Sequence, residues 1–142
     1  MKELGEEAGK KFGFDLIQNP VYSEVDMIIP VPLHPKKFKK RGYNQSEWIA
    51  RGIGSALAKP VSTENLCRLK FTATQTRKTK YERWKNVEGI FGLNQPQVLE
   101  NKHILLVDDV ITTGATLEAC SAVLEHVPGI EISVATLAYA DY

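Results

Sequence analysis

Residues 104–116 constrain this chain more than any other segment. Ile104, Leu105, Leu106 and Val107 form an unbroken apolar run, the pattern of a strand covered on both faces. The run ends in two adjacent carboxylates, Asp108 and Asp109, and a Thr/Gly-rich turn leads into a helix from about Ala115. In open α/β sheets ligands bind beyond the carboxyl ends of strands, which is where both acids fall. Gly114 has no Cβ, so backbone can approach an anion closely. Thr112, Thr113 and Thr116 offer hydroxyls, and the free N–H groups and dipole of the following helix complete an anion cradle. The arrangement suits a ligand with a phosphate at one end and paired hydroxyls or a metal ion in its middle, as in a sugar phosphate.

Three other readings use similar residues. A P-loop requires a lysine after its second glycine, and this turn has none. A receiver domain carries paired aspartates near its start, whereas here only 33 residues follow Asp109. A purely structural strand–turn–helix explains two neighbouring acids before an uncharged turn poorly.

The length of 142 residues predicts one domain over the whole chain, with residues 1–20 as an N-terminal helix and linker. An apolar fraction of 43% and a charged fraction of 25% are ordinary for a soluble globule. No apolar stretch reaches the length of a membrane span, and no signal-peptide pattern opens the chain. Cys67 and Cys120 form no CxxC pair, so neither a zinc site nor a disulfide framework is implied. A reducing cytoplasm is the expected compartment.

The pattern along the chain alternates strands with helices, which predicts a parallel α/β sheet. A helix is expected over residues 2–14, weakened by Gly5 and Gly9, and a first core strand over 25–33. Asn44 and Glu47 have the spacing of a capping box for a helix over 45–58. Short strands are expected at 65–70 and 87–91, the central strand at 104–108, a helix at 115–126 and a last strand at 130–138. Residues 71–85 are polar, basic and aperiodic, the signature of a long functional loop. Trp48 is expected in the core.

The net charge of +1 hides an asymmetry. Lys36, Lys37, Lys39, Lys40 and Arg41 form one basic segment, and Arg68, Lys70, Arg77, Lys78, Lys80, Arg83 and Lys85 fall in another. Together they hold 12 of the 18 Lys and Arg residues. Such runs are often only solvated surface. Two of them beside an acidic pair also fit a polyphosphorylated ligand accompanied by Mg²⁺.

Residues 104–116 resemble the binding signature for phosphoribosyl pyrophosphate (PRPP) in type I phosphoribosyltransferases. The upstream string Ile29-Pro30-Val31-Pro32-Leu33-His34-Pro35, then Arg41-Gly42-Tyr43-Asn44-Gln45, is similar to the ComF family, phosphoribosyltransferase-like proteins linked to bacterial DNA uptake. Gln75, Arg83, Asn86-Val87 and Gly89-Ile90-Phe91 extend the likeness. The resemblance implies a type I phosphoribosyltransferase-like fold, a mostly parallel sheet flanked by helices with a flexible hood at residues 71–85. It implies Thr112, Thr113, Gly114, Ala115 and Thr116 around the 5′-phosphate. Leu33, His34, Arg41 and Gly42 would lie around the pyrophosphate, with a cis peptide between Leu33 and His34. Asp108 and Asp109 would orient the ribose hydroxyls and hold Mg²⁺, directly or through water, and Arg77, Lys78 and Arg83 would act on the leaving group. The family's cysteine-rich zinc module has no counterpart here, so the chain reads as a short member or a part of a longer protein. The acceptor is open. A second implied role is a DNA-uptake accessory that binds single-stranded DNA or a helicase partner, with Phe38, Tyr43, Tyr81 and Trp84 among its basic loops. Self-association is compatible with either.

Overall fold

The computed structural model describes residues 2–33, 39–40, 42–69 and 90–140. Their elements are α1 (Lys2–Leu16), α2 (Pro20–Ser23), β1 (Met27–Pro30), α3 (Gln45–Leu57), β2 (Leu66–Arg68), β3 (Phe91–Leu93), a 3₁₀ turn (Pro96–Leu99), β4 (His103–Ile111), α4 (Ala115–Leu124) and β5 (Glu131–Tyr139).

The main sheet has the order β1-β4-β5, with both pairs parallel. β4 is central because its apolar run can be covered twice. Ile104 and Leu106 belong to one core with Leu117, Cys120 and Leu124 of α4 and with Leu66 and Phe91. Leu105 and Val107 belong to the other, with Ile49, Ala50 and Ile53 of α3. The period-two alternation of a strand thus divides four consecutive apolar residues between two layers, giving helix–sheet–helix. β2 and β3 pair antiparallel in a separate ladder on the α4 side, bracketing the hood segment in sequence.

Several expected boundaries move. β1 is confined to Met27–Pro30, because Pro30 and Pro32 withhold ladder donors. Its free edge is covered by a parallel bridge from Ile28 to Val61. β4 runs on past Asp108 to Ile111, because β5 pairs with it as far as Tyr139. β2 and β3 are shorter or shifted relative to 65–70 and 87–91. The capping box forms only in half: the Asn44 side chain accepts from Ser46 N–H, while Glu47 turns to Arg51 at 3.4 Å.

Helix α1 corrects a second expectation. Gly5, Gly9 and Gly13 are its buried residues, one turn apart on one face, and they lie against α3. What reads as poor helix propensity is the condition for two backbones to come together. Trp48 is only half-buried, with Lys2 Nζ 5.3 Å and the Arg51 guanidinium 5.4 Å from its ring, so it is a cation-bearing flank of the α1–α3 contact.

Candidate functional site

The site begins where β1 and β4 part. Val31 N–H still donates to the Val107 carbonyl at 2.8 Å. In a continuing parallel ladder the next rung would run from Asp109 N–H to the Val31 carbonyl. Instead Asp109 N–H donates to Asp108 Oδ1 at 2.9 Å, and the Val31 carbonyl accepts from Asn44 Nδ2 at 3.0 Å. On the other side β4 stays paired with β5, Asp108 opposite Thr136. The sheet therefore splits on one side only, and both carboxylates lie at the split.

Five residues beyond Asp109, at Gly114, the chain turns into α4. Gly114 takes the left-handed conformation, φ 83°, which glycine adopts without a Cβ penalty, and its carbonyl accepts from Glu118 N–H at 2.9 Å. Gly114, the N-cap residue, has no side chain with which to cap the helix. The Thr113 hydroxyl accepts from Ala115 N–H at 3.2 Å. A shallow, solvent-open concavity lies over this turn, lined among the described residues by Asp108 and residues 110–117. Among the described residues no distant side chain fills it.

Asp108 is the electrostatic centre. Burial holds its pKa up, to about 6, reinforced by the neighbouring Asp109 carboxylate. Opposing this, Oδ1 accepts from Ser46 Oγ at 3.1 Å and from the Asp109 amide, contacts that favour the charged form. Ser46 is 4% exposed, fixed in the first turn of α3. Asp109 Oδ1 accepts from Val110 N–H at 2.8 Å. Because the folded-state value lies above the ordinary 3.8, the folded chain binds more protons than the unfolded one between about pH 4 and pH 6. Stability from this group therefore falls as pH rises through that window. Unfolding followed from pH 4 to pH 7 should show this decline, and Asp108→Asn should remove it. An identical pH profile in the variant would refute the assignment.

The structure brings Asp108 together with Thr112, Thr113, Gly114, Ala115 and Thr116 around one concavity, which Asp109 adjoins in sequence but does not line. Leu33 lies two residues beyond Val31 at the split. Gly42 is exposed, with φ 80°. His34, Arg41, Arg77, Lys78 and Arg83 lie outside the described residues, as do the Leu33–His34 peptide and the hood. Asp108 is half-buried within a paired strand, not at the solvent-open strand end its sequence position suggests. Three contributors went unread as site residues: Asn44, Ser46 and Arg68. Arg68 Nε donates to the Pro32 carbonyl at 3.0 Å, and its guanidinium lies 4.8 Å from the Phe91 ring. In the sequence Asn44 stands out as a capping position and as part of the ComF-like string Arg41-Gly42-Tyr43-Asn44-Gln45, neither of which gives it a site role. Cys120, fully buried, has its thiol pushed up to about 12 by burial, which leaves it an inert core residue.

The phosphoribosyl transferase domain model matches residues 49–141. The chain belongs to that family. Its curated relatives bear out the ComF resemblance. Competence protein F of Haemophilus influenzae is 35% identical over 116 residues, 81% of this chain and 51% of the relative. Competence protein ComFC of Bacillus subtilis is 35% identical over 112 residues, 78% of this chain and 43% of the relative. DNA utilization protein YhgH of Escherichia coli K12 is 32% identical over 99 residues, 70% and 43%. The chain thus spans about half the length of these relatives. The phosphoribosyl transferase fold is shared with solved structures. The glutamine PRPP amidotransferase of B. subtilis superposes with a TM-score of 0.64 at 23% identity, over 92% of this chain and 26% of that one. The purine phosphoribosyltransferase of Pyrococcus horikoshii gives 0.56 at 18%, over 93% and 73%. Among the described residues, no helix of this phosphoribosyl transferase domain is long and apolar enough to cross a membrane.

Proposed function

We propose that this chain binds PRPP, or a closely related ribose 5-phosphate, together with Mg²⁺, and transfers its phosphoribosyl group to an acceptor. One observation carries the reading: a helix N-terminus on a left-handed glycine turn, whose N-cap residue offers no side-chain acceptor, lies five residues beyond the second of two carboxylates at a one-sided split in the sheet. That supplies donors for a phosphate and acceptors for hydroxyls within one ligand's reach. In this reading the N–H of Thr116, the N–H of Ala115 once it leaves the Thr113 hydroxyl, and the hydroxyls of Thr112, Thr113 and Thr116 take the 5′-phosphate. Asp108 and Asp109 accept from the ribose hydroxyls.

The donor set also fits Mg²⁺. Among the described residues no group of three or more His, Cys, Asp or Glu could hold a metal, but Mg²⁺ characteristically takes one or two carboxylates and completes its shell with water and substrate phosphates. Two carboxylates, one with its proton affinity raised first by burial and then by its neighbour, are a pair a divalent cation would relieve. When bound, the ion would neutralise charge developing on pyrophosphate. The bond broken joins ribose C1 to a pyrophosphate oxygen, which leaves with the electron pair, and the acceptor's lone pair forms the new bond. The protein's part is positioning and electrostatic stabilisation of a cationic sugar.

Titration calorimetry with PRPP and MgCl₂ tests this. Saturable binding at one site per chain is expected, weakened by omission of the metal. The same titration with a single-stranded oligonucleotide separates the accessory role, consistent with relatives named for competence and DNA utilization. Oligonucleotide binding without PRPP binding would replace the transferase reading.

A further inference from the structure

The split between β1 and β4 needs a cause, because a parallel ladder with free partners on both strands closes. Val31 is 5% exposed, so its carbonyl must find a donor. Among the described residues two bear on it: the Asp109 amide, which would zip the strands together, and the carboxamide of Asn44, which holds the position at 3.0 Å. The Asp109 amide is diverted at the same time, onto Asp108 Oδ1. The two exchanges depend on each other. Closing the rung would take the Val31 carbonyl from Asn44 and the Asp109 amide from Asp108.

The choice of side chain at position 44 fits this role. A helix N-cap needs only an acceptor, and Ser, Thr or Asp serves as well as Asn. Asn44 does accept, from Ser46 N–H at 3.1 Å. Asp has no donor, and Ser or Thr has a single oxygen for both tasks; a carboxamide accepts through one atom and donates through another, and here the donor half goes to Val31. The residue that Asn44 caps, Ser46, then reaches Asp108 Oδ1 with its hydroxyl. The next carbonyl, Pro32, is taken from the opposite layer by Arg68, itself held over Phe91. Two consecutive carbonyls at the end of β1 are thus fastened by side chains, one from each layer, and neither returns to β4.

We infer that Asn44 is a positioning residue that holds the crevice between β1 and β4 open, keeping the Asp108 carboxylate on the Asp109 amide and both acids in the crevice, with Arg68 securing the neighbouring carbonyl. This deepens the PRPP reading and rests on it only for the ligand arm of its test.

Asn44→Ser and Asn44→Asp keep an N-cap acceptor and remove the amide donor. Thermal unfolding should change little, while the Asp109 amide resonance should shift and its hydrogen exchange rate should change as it turns to Val31. PRPP affinity with Mg²⁺ should fall at least tenfold. Inorganic phosphate, which needs only the turn before α4, should bind both variants as it binds the parent chain. An unmoved Asp109 amide in both folded variants overturns the inference, whatever PRPP does. A moved amide with undiminished PRPP affinity overturns the positioning role. A moved amide in a chain whose parent never binds PRPP sustains the crevice role and removes the PRPP reading instead.

Discussion

Asp108→Asn combined with Asp109→Asn should weaken PRPP binding in the presence of Mg²⁺ by more than tenfold, about 1.4 kcal/mol or more. The substitution removes both charges and keeps the shape and the Oδ1 acceptors, so Ser46 Oγ–H and the Asp109 main-chain N–H retain their partner at position 108. What is lost is attraction for a divalent cation and the stronger, charge-assisted hydrogen bonds to ribose hydroxyls. The ligand-free variant should not be destabilised at neutral pH. Burial already disfavours the Asp108 charge, so a neutral amide there relieves the fold above about pH 6. That combination of weaker binding with retained stability distinguishes a ligand site from a structural acid pair. Calorimetry and thermal unfolding on the same samples measure both. Undiminished PRPP affinity would end the sugar-phosphate reading of the chain, whereas a large loss of stability would show that the pair serves the fold.

The parts of this site legible in the sequence are those decided locally. Residues 104–107 had to be a doubly covered strand because no alternation breaks their apolar run, and the cores on either side of β4 agree. Gly114 between threonines announced a turn, and the turn has a left-handed glycine where the helix begins. The illegible parts are decided by partners far away in sequence. Where β4 ends depends on β5, which pairs to Ile111 and keeps Asp108 within a ladder on that side. Where β1 and β4 separate depends on an amide at Asn44 whose capping role hides its second use. Arg68 looked like one more charge in a basic segment, and only the tertiary placement of Pro32 and Phe91 sets it apart. Gly5 and Gly9 were read against helix propensity, a weak local prior that tertiary packing overrides.

That packing supports the second large expected effect. Gly9→Ala should cost roughly 3 kcal/mol of stability, the upper end for overpacking. A Cβ at Gly9 would run into the Ile49 carbonyl oxygen, and one at Gly52 into the Glu6 carbonyl oxygen. Both obstacles are helix backbone, which cannot move aside as a side chain can. α1 and α3 would have to separate along Gly5, Gly9 and Gly13, and Ile49 and Ile53 would lose part of their cover. Gly5→Ala is the internal control. Its added methyl meets Trp48 Cβ at 3.4 Å, an ordinary contact, and Ala gains up to about 1 kcal/mol of helix propensity over Gly, so that variant should be neutral or stabilised. Urea unfolding should therefore separate the two variants, with only Gly9→Ala destabilised, although both make the same chemical change on the same helix. Equal midpoints would refute the backbone contact. The consequence reaches the site, because α3 carries Asn44 and Ser46 at its N-terminal end. A displaced α3 draws Asn44 from the Val31 carbonyl and Ser46 from Asp108. Gly9→Ala should accordingly weaken PRPP binding even under conditions where most of the protein is folded, while Gly5→Ala leaves binding as it is in the parent chain.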